Sequence, residues 1–218
     1  RRSSDLAREQ VACVEFVTKF ADNPANPGQS IERNGSLWSA RITQELRAIL
    51  YKEGEAWVLL HVDHHDAAYR WANRRQGSRH PVTGELQIVE VVDVPAAAPV
   101  PVPAVAAPAP LLAAHDDAYL LSLGVPPDWL PTLRKVADDD QLLDVVGHLP
   151  DDIADRLLRI AAGELVTPPR PIPATAPLAA AAAASSSFVT VSDSSDLAAV
   201  LRQPLDRWIA FLHPSQRA

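Results

Sequence analysis

The densest run of chemistry-bearing side chains is HVDHHDAAYRW, residues 61–71, with three histidines, two aspartates and a tyrosine. Histidine titrates near neutrality, so it serves as a general acid or base. On an extended strand side chains alternate, which puts His61 and Asp63 on one face. At the start of a following helix, His65 and Tyr69 are four residues apart and share a face. Arg41 and Arg47, from the preceding strands, are expected to face the same groove. Arginine holds a phosphate and offsets charge that builds in a transition state. A phosphate or RNA site built from Arg47, His61, His65 and Tyr69 is one reading. The other is structural: Asp63 caps the helix with Asp66 three positions on, and His64 and His65 are exposed first-turn residues. No metal site is expected, because the run lacks a His-Glu-x-x-His spacing and the single cysteine, Cys13, is far away in sequence.

A second cationic run, RWANRRQGSRH (70–80), offers Arg70, Arg74, Arg75 and Arg79 as nucleic-acid contacts, against the alternative of an exposed helix end. The acidic run Asp138-Asp139-Asp140 reads as a solvated helix start, with a partner-binding or DNA-mimicking surface as the alternative. Trp129 and Trp208 are expected to anchor small cores. Cys13 reads as a core residue.

These residues sit in a chain of uneven composition. Its 218 residues include 20 prolines, 8 glycines and no methionine. The opening Arg1-Arg2 in place of methionine suggests a processed or partial chain. One cysteine excludes an internal disulfide scaffold. No apolar run approaches the roughly 18 residues of a membrane helix, so no membrane partner is expected and a cytoplasmic location is. The net charge of -7 argues against a generally basic nucleic-acid coat. That charge is localised. Residues 1–92 carry 12 basic and 12 acidic side chains, whereas residues 93–166 carry 4 and 12.

Two proline-rich stretches divide the chain. Residues 93–110 hold six prolines, and residues 167–187 hold five followed by an alanine run and serines. Repeated proline fixes φ and removes donors, so both are expected to be linkers. The expected order is an α+β domain over 1–92, a Pro/Ala linker over 93–110, a small acidic all-α module over 111–166, a Pro/Ala/Ser linker over 167–187 and a last piece over 188–218. Within 1–92 the pattern predicts a helix from Ser3 or Ser4 to about Asn23. Strands follow over 37–43, 46–53 and 56–62, a helix over 64–75 and a strand over 86–92. The tail predicts a strand over 188–191 and a helix over 195–201.

The run from Phe16 to Arg75 resembles the RelE/ParE toxin superfamily. The matching parts are KFADNPANPG (19–28), LWSARITQELRAILYKEG (37–54) and VLLHVDHHDAAYRWANRR (58–75). Arg47 matches that superfamily's strand arginine, and His65 with Tyr69 its H-x-x-x-Y segment. The resemblance implies a small curved antiparallel sheet packed on helices. It also implies two activities. RelE-type members cleave RNA through attack of the 2′-hydroxyl on the adjacent phosphate, a chemistry that Arg47, His61, His64 or His65, and Tyr69 could serve. ParE-like members keep the fold without nuclease residues and bind an antitoxin-like protein segment. This domain departs from the toxin pattern in being neutral overall, where RNA-gripping toxins are strongly basic.

The end of the chain, RWIAFLHPSQRA (207–218), resembles the Q motif at the start of the motor core of UvrD/Rep-like superfamily 1 DNA helicases. That resemblance makes Gln216 the residue that reads the adenine of ATP, through one amide donor and one acceptor. The order of a RelE/ParE-like domain, a Pro/Ala spacer, a helical module containing AYLLSLGVPPDWLP (118–131) and then WIAFLHPSQR resembles the N-terminal region of bacterial UvrD-like helicases. ATP, magnesium and DNA are then expected in the parent protein. The 218 residues contain no G-x-x-x-x-G-K-[ST] loop, so no ATPase activity and no cofactor are expected here.

Overall fold

The computed structural model describes residues 2–24, 30–91, 110–185 and 188, with side chains from residue 8. The fold is mixed α+β, and it divides into two compact units. Unit 1 comprises residues 1–77 and 186–218, and unit 2 comprises residues 78–185.

Unit 1 opens with helix α1 (Arg2–Asp22). Four strands follow: β1 (Glu32–Asn34), β2 (Leu37–Arg41), β3 (Leu46–Glu53) and β4 (Ala56–His64). They form one antiparallel sheet in the order β1-β2-β3-β4. The β3–β4 hairpin turns on Gly54, whose φ of 58° lies in the left-handed region that glycine adopts without penalty. Alternation then sorts the side chains. Trp38, Ala40, Ala48, Leu50, Trp57, Leu59 and Val62 pack with Phe16 and Phe20 of α1. Each large apolar side chain fully buried this way contributes about 1.5–3 kcal/mol. Helix α2 (His65–Asn73) packs against β3 and β4, burying Ala68 and Ala72.

The expected strands over 46–53 and 56–62 are present, the second extended to His64. Strand β1 was not expected, since Glu32-Arg33-Asn34 has no apolar alternation; its pairing with β2 matches Arg33 to Trp38. Strand β5 (Arg75–Arg79) replaces the expected end of the helix, and it forms a two-stranded sheet with β6 (Leu86–Glu90).

Unit 2 continues with helices α3 (Asp117–Ser122), α4 (Leu130–Leu133), α5 (Asp139–Val146), α6 (Asp151–Ala161) and α7 (Leu178–Ala183). Asp116 caps α3 by accepting from the Tyr119 N–H, and Asp138 caps α5 by accepting from the Gln141 N–H. Leu120, Leu123, Trp129, Leu133, Leu142, Ile153 and Leu157 form its core. Val89 of β6 belongs to the same core, and residues 78–91 fall within unit 2.

The stretch expected as a linker over 167–187 differs too. Its described part is bound to unit 2: Ile172 N–H donates to Thr83 O at 2.7 Å, and α7 buries Leu178, Ala181 and Ala182. Proline removes donors, but the few that remain suffice to fasten an extended chain. The stretch over 93–109, the strand over 189–191, the helix over 195–201, Trp208 and Gln216 lie outside the described residues. No described helix is long and apolar enough to cross a membrane.

Candidate functional site

The strand register builds the candidate site on the sheet face that α2 covers. Two cross-strand rows lie there. One joins Ser39, Ile49 and His61, and the other joins Arg41, Arg47 and Asp63. Because the rows are two residues apart, their side chains share a face. A register shift between Ile49 and Leu50 adds one residue to β4 and keeps His61 and Asp63 in these rows. His61 Nε2 lies 3.5 Å from Asp63 Oδ2, the geometry expected of the strand alternation.

Arg47 is only 8% exposed. Its Nη1 donates to the carbonyls of Thr43 at 2.9 Å and Leu46 at 2.9 Å, with Gln44 at 3.4 Å. The guanidinium therefore closes the turn between β2 and β3. His61 is buried and stacks on Trp71, with ring centroids 4.7 Å apart and planes 8° apart. The guanidinium of Arg75 lies over the same indole at 4.7 Å. Stacking on an indole face favours a cation and holds its plane.

His65 starts α2 and remains half-exposed. Its backbone N–H donates to Glu45 O at 2.7 Å, and its Nδ1 is 2.9 Å from Asp66 Oδ1. That hydrogen bond from His65 holds the Asp66 carboxyl below its usual range. The His65 ring sits 4.8 Å from the Tyr69 ring, as their spacing predicts. Tyr69 does not end free: its hydroxyl is 3.1 Å from Ser39 Oγ. Ser39 was not singled out from the sequence. Its signal is its place opposite Trp38 and Ala40 in the β2 alternation.

The expected cap is corrected. His64 is the N-cap residue, with no side-chain cap bond, and Asp63 Oδ1 accepts from the His64 N–H at 2.7 Å. Asp63 stays on the strand because its row with Arg47 holds it there. His64 Nε2 is 3.7 Å from Glu9 of α1.

The four arginines of 70–79 do not act alike. Arg70 and Arg74 are exposed at the end of α2. Arg75 is held over Trp71 and also donates to Trp71 O at 3.4 Å. Arg79 belongs to unit 2, where its Nη2 donates to Ala176 O at 2.8 Å. Among the described residues, no group of three or more His, Cys, Asp or Glu side chains is arranged to hold a metal. Cys13 is buried, and burial pushes its thiol up to about 11, which leaves it unreactive.

Comparison with known proteins matches this chain to no family model, no curated protein and no solved structure.

Proposed function

We propose that this chain is the non-motor, N-terminal part of a UvrD/Rep-like ATP-dependent DNA helicase, in which a RelE/ParE-like domain serves docking or regulation. The order of sequence resemblances supports that assignment. The observation that favours docking over RNA cleavage is Arg47. The arginine that a nuclease would turn toward phosphate is buried and donates to the carbonyls of Thr43, Gln44 and Leu46. His61 is likewise covered by Trp71. These bonds make the candidate residues part of the fold. The partner is DNA in the parent helicase, with RNA or an antitoxin-like protein segment as alternatives at the first domain. ATP and magnesium belong to the motor, with Gln216 reading adenine. Localisation in the cytoplasm follows from that role.

A second reading, a RelE-like ribonuclease, draws on His65, which is half-exposed and paired with Asp66 beside Tyr69. In it, His65 exchanges the proton of the 2′-hydroxyl.

The reading frame beyond Ala218 tests the helicase assignment. It is expected to encode a G-x-x-x-x-G-K-[ST] loop within a few tens of residues, and the longer protein is expected to hydrolyse ATP only with DNA present. A stop codon, or a longer protein whose ATPase ignores DNA, contradicts it.

A further inference from the structure

Unit 2 contains a buried polar cluster that the proposed function does not use. Three consecutive carbonyls in the turn after α3 each accept from a different part of the chain. Leu123 O accepts from Arg156 Nη1 of α6 at 2.7 Å, Gly124 O from Gln87 Nε2 of β6 at 2.7 Å, and Val125 O takes His80 Nε2 at 2.8 Å. A carbonyl only accepts, so the proton of the His80 ring sits on Nε2. The other ring nitrogen then accepts. His80 Nδ1 receives the N–H of Thr83 at 3.1 Å and of Val82 at 3.3 Å. His80 is 3% exposed, and both its nitrogens are committed.

The turn that His80 shapes is what holds the proline-rich stretch. Thr83 donates its N–H to His80 and accepts the Ile172 N–H with its carbonyl. One residue on, Gly84 has φ 72°, and a Cβ there would collide with Ile172 O. The strap therefore lies directly on the turn. Arg79 fastens it too, donating to Ala176 O, and α7 supplies an apolar anchor.

We propose that residues 167–185 form a proton-sensitive strap, held closed by neutral His80 and released when His80 takes up a proton. A proton on Nδ1 turns an acceptor into a donor that faces the N–H groups of Val82 and Thr83. Both bonds are lost, and the cation has no acceptor at that nitrogen. The 80–85 turn must rearrange, and Thr83 O leaves Ile172. The charged groups around the turn are Arg79 on β5, Glu85 at its end, and Asp152 and Arg156 on α6. Arg156 Nη2 pairs with Asp152 at 3.1 Å, and Glu85 accepts from the Thr83 hydroxyl at 3.4 Å. Burial holds the His80 imidazole below its ordinary range, so release belongs on the acid side of about 6.5. The inference stands independently of the helicase assignment.

Amide and imidazole NMR of the whole chain across a pH titration tests it. The Ile172 amide, corrected for intrinsic exchange, is expected to lose at least tenfold protection in step with protonation of the His80 ring. In His80→Gln, which has a donor and an acceptor but no proton to gain, Ile172 stays protected over the same range. In Arg79→Ala, which removes the strap's bond at Ala176 O, the midpoint moves to higher pH. Ile172 protection that persists through His80 protonation overturns the proposal. So does an identical acid release in His80→Gln.

Discussion

The hydroxyls of Tyr69 and Ser39 lie 3.1 Å apart, joining the middle of α2 to the second strand of the sheet. Ser39 is 2% exposed, so this bond is sealed from water on the strand side. It makes a tyrosine expected in a phosphate or RNA site a fastener of helix to sheet. Removing either hydroxyl is expected to destabilise unit 1 by about 1 kcal/mol. Tyr69→Phe and Ser39→Ala together should cost less than the sum of the two, since they break one bond. Urea midpoints of the two single variants and the double variant check this. Strict additivity would show that the hydroxyls do not depend on one another.

Arg47 gives a larger effect. Arg47→Ala removes a buried donor from the carbonyls of Thr43 and Leu46. Leu46 O keeps the Ile42 N–H at 3.1 Å, so the loss falls on Thr43 O, and leaving one such group unsatisfied costs about 1–3 kcal/mol. Arg47→Lys should recover only part of that loss, because its shorter side chain ends before the position of Nη1, the nitrogen that serves these carbonyls. Denaturation monitored at the tryptophans reads both. An Arg47→Ala protein as stable as the parent would return this side chain to a functional role.

Glycine 84 separates close approach from backbone conformation. Gly84→Ala collides with Ile172 O and also carries the cost of a positive φ. Gly54→Ala has a similar φ of 58° with nothing within 4 Å. The second substitution should cost about 1–2 kcal/mol from conformation alone. The first should cost more and should expose Ile172 to exchange. Equal losses in the two variants would place the strap away from the turn.

The buried acids set the pH dependence of unit 2. Burial raises the Glu85 carboxyl, with the Asp152 charge adding to it, and burial also raises Asp152. A raised carboxyl favours the fold when protonated. Its contribution is whole below the ordinary range near about 4 and is lost as pH rises through the folded value. His80, lowered by burial, works in the opposite direction: its contribution is whole above about 6.5 and is lost as pH falls through the folded value. Glu85→Gln is therefore expected to melt above the parent at pH 7, with the difference closing as pH approaches 4. Thermal midpoints across that range check it. A variant that melts below the parent at pH 7 contradicts the sign.

Much of unit 1 was legible because its strands alternate. LRAILYKE and AWVLLHV flank a Gly-containing turn, and β3 spans Leu46–Glu53 as read. The pairings of His61 with Asp63 and of His65 with Tyr69 followed from period and spacing. What stayed hidden depends on contacts between distant residues. Strand β1 has a charged, polar sequence and is defined by β2 alone. The proline-rich stretch has the composition of a linker, and its fastenings to Thr83 O and Arg79, its contact with Gly84 and the burial of α7 are not written in that composition. His80, the last residue of the cationic run 70–80, is buried. No local pattern announces that its two nitrogens meet Val125 on one side and Thr83 on the other.

RNA cleavage decides between a fold held together by Arg47, His61 and Tyr69 and a site that uses them. The chain is incubated with messenger RNA on translating ribosomes, and cleavage is mapped by primer extension beside His65→Ala and Arg47→Lys. The docking account predicts intact RNA in all three. Cleavage by the parent chain that disappears in His65→Ala would contradict it.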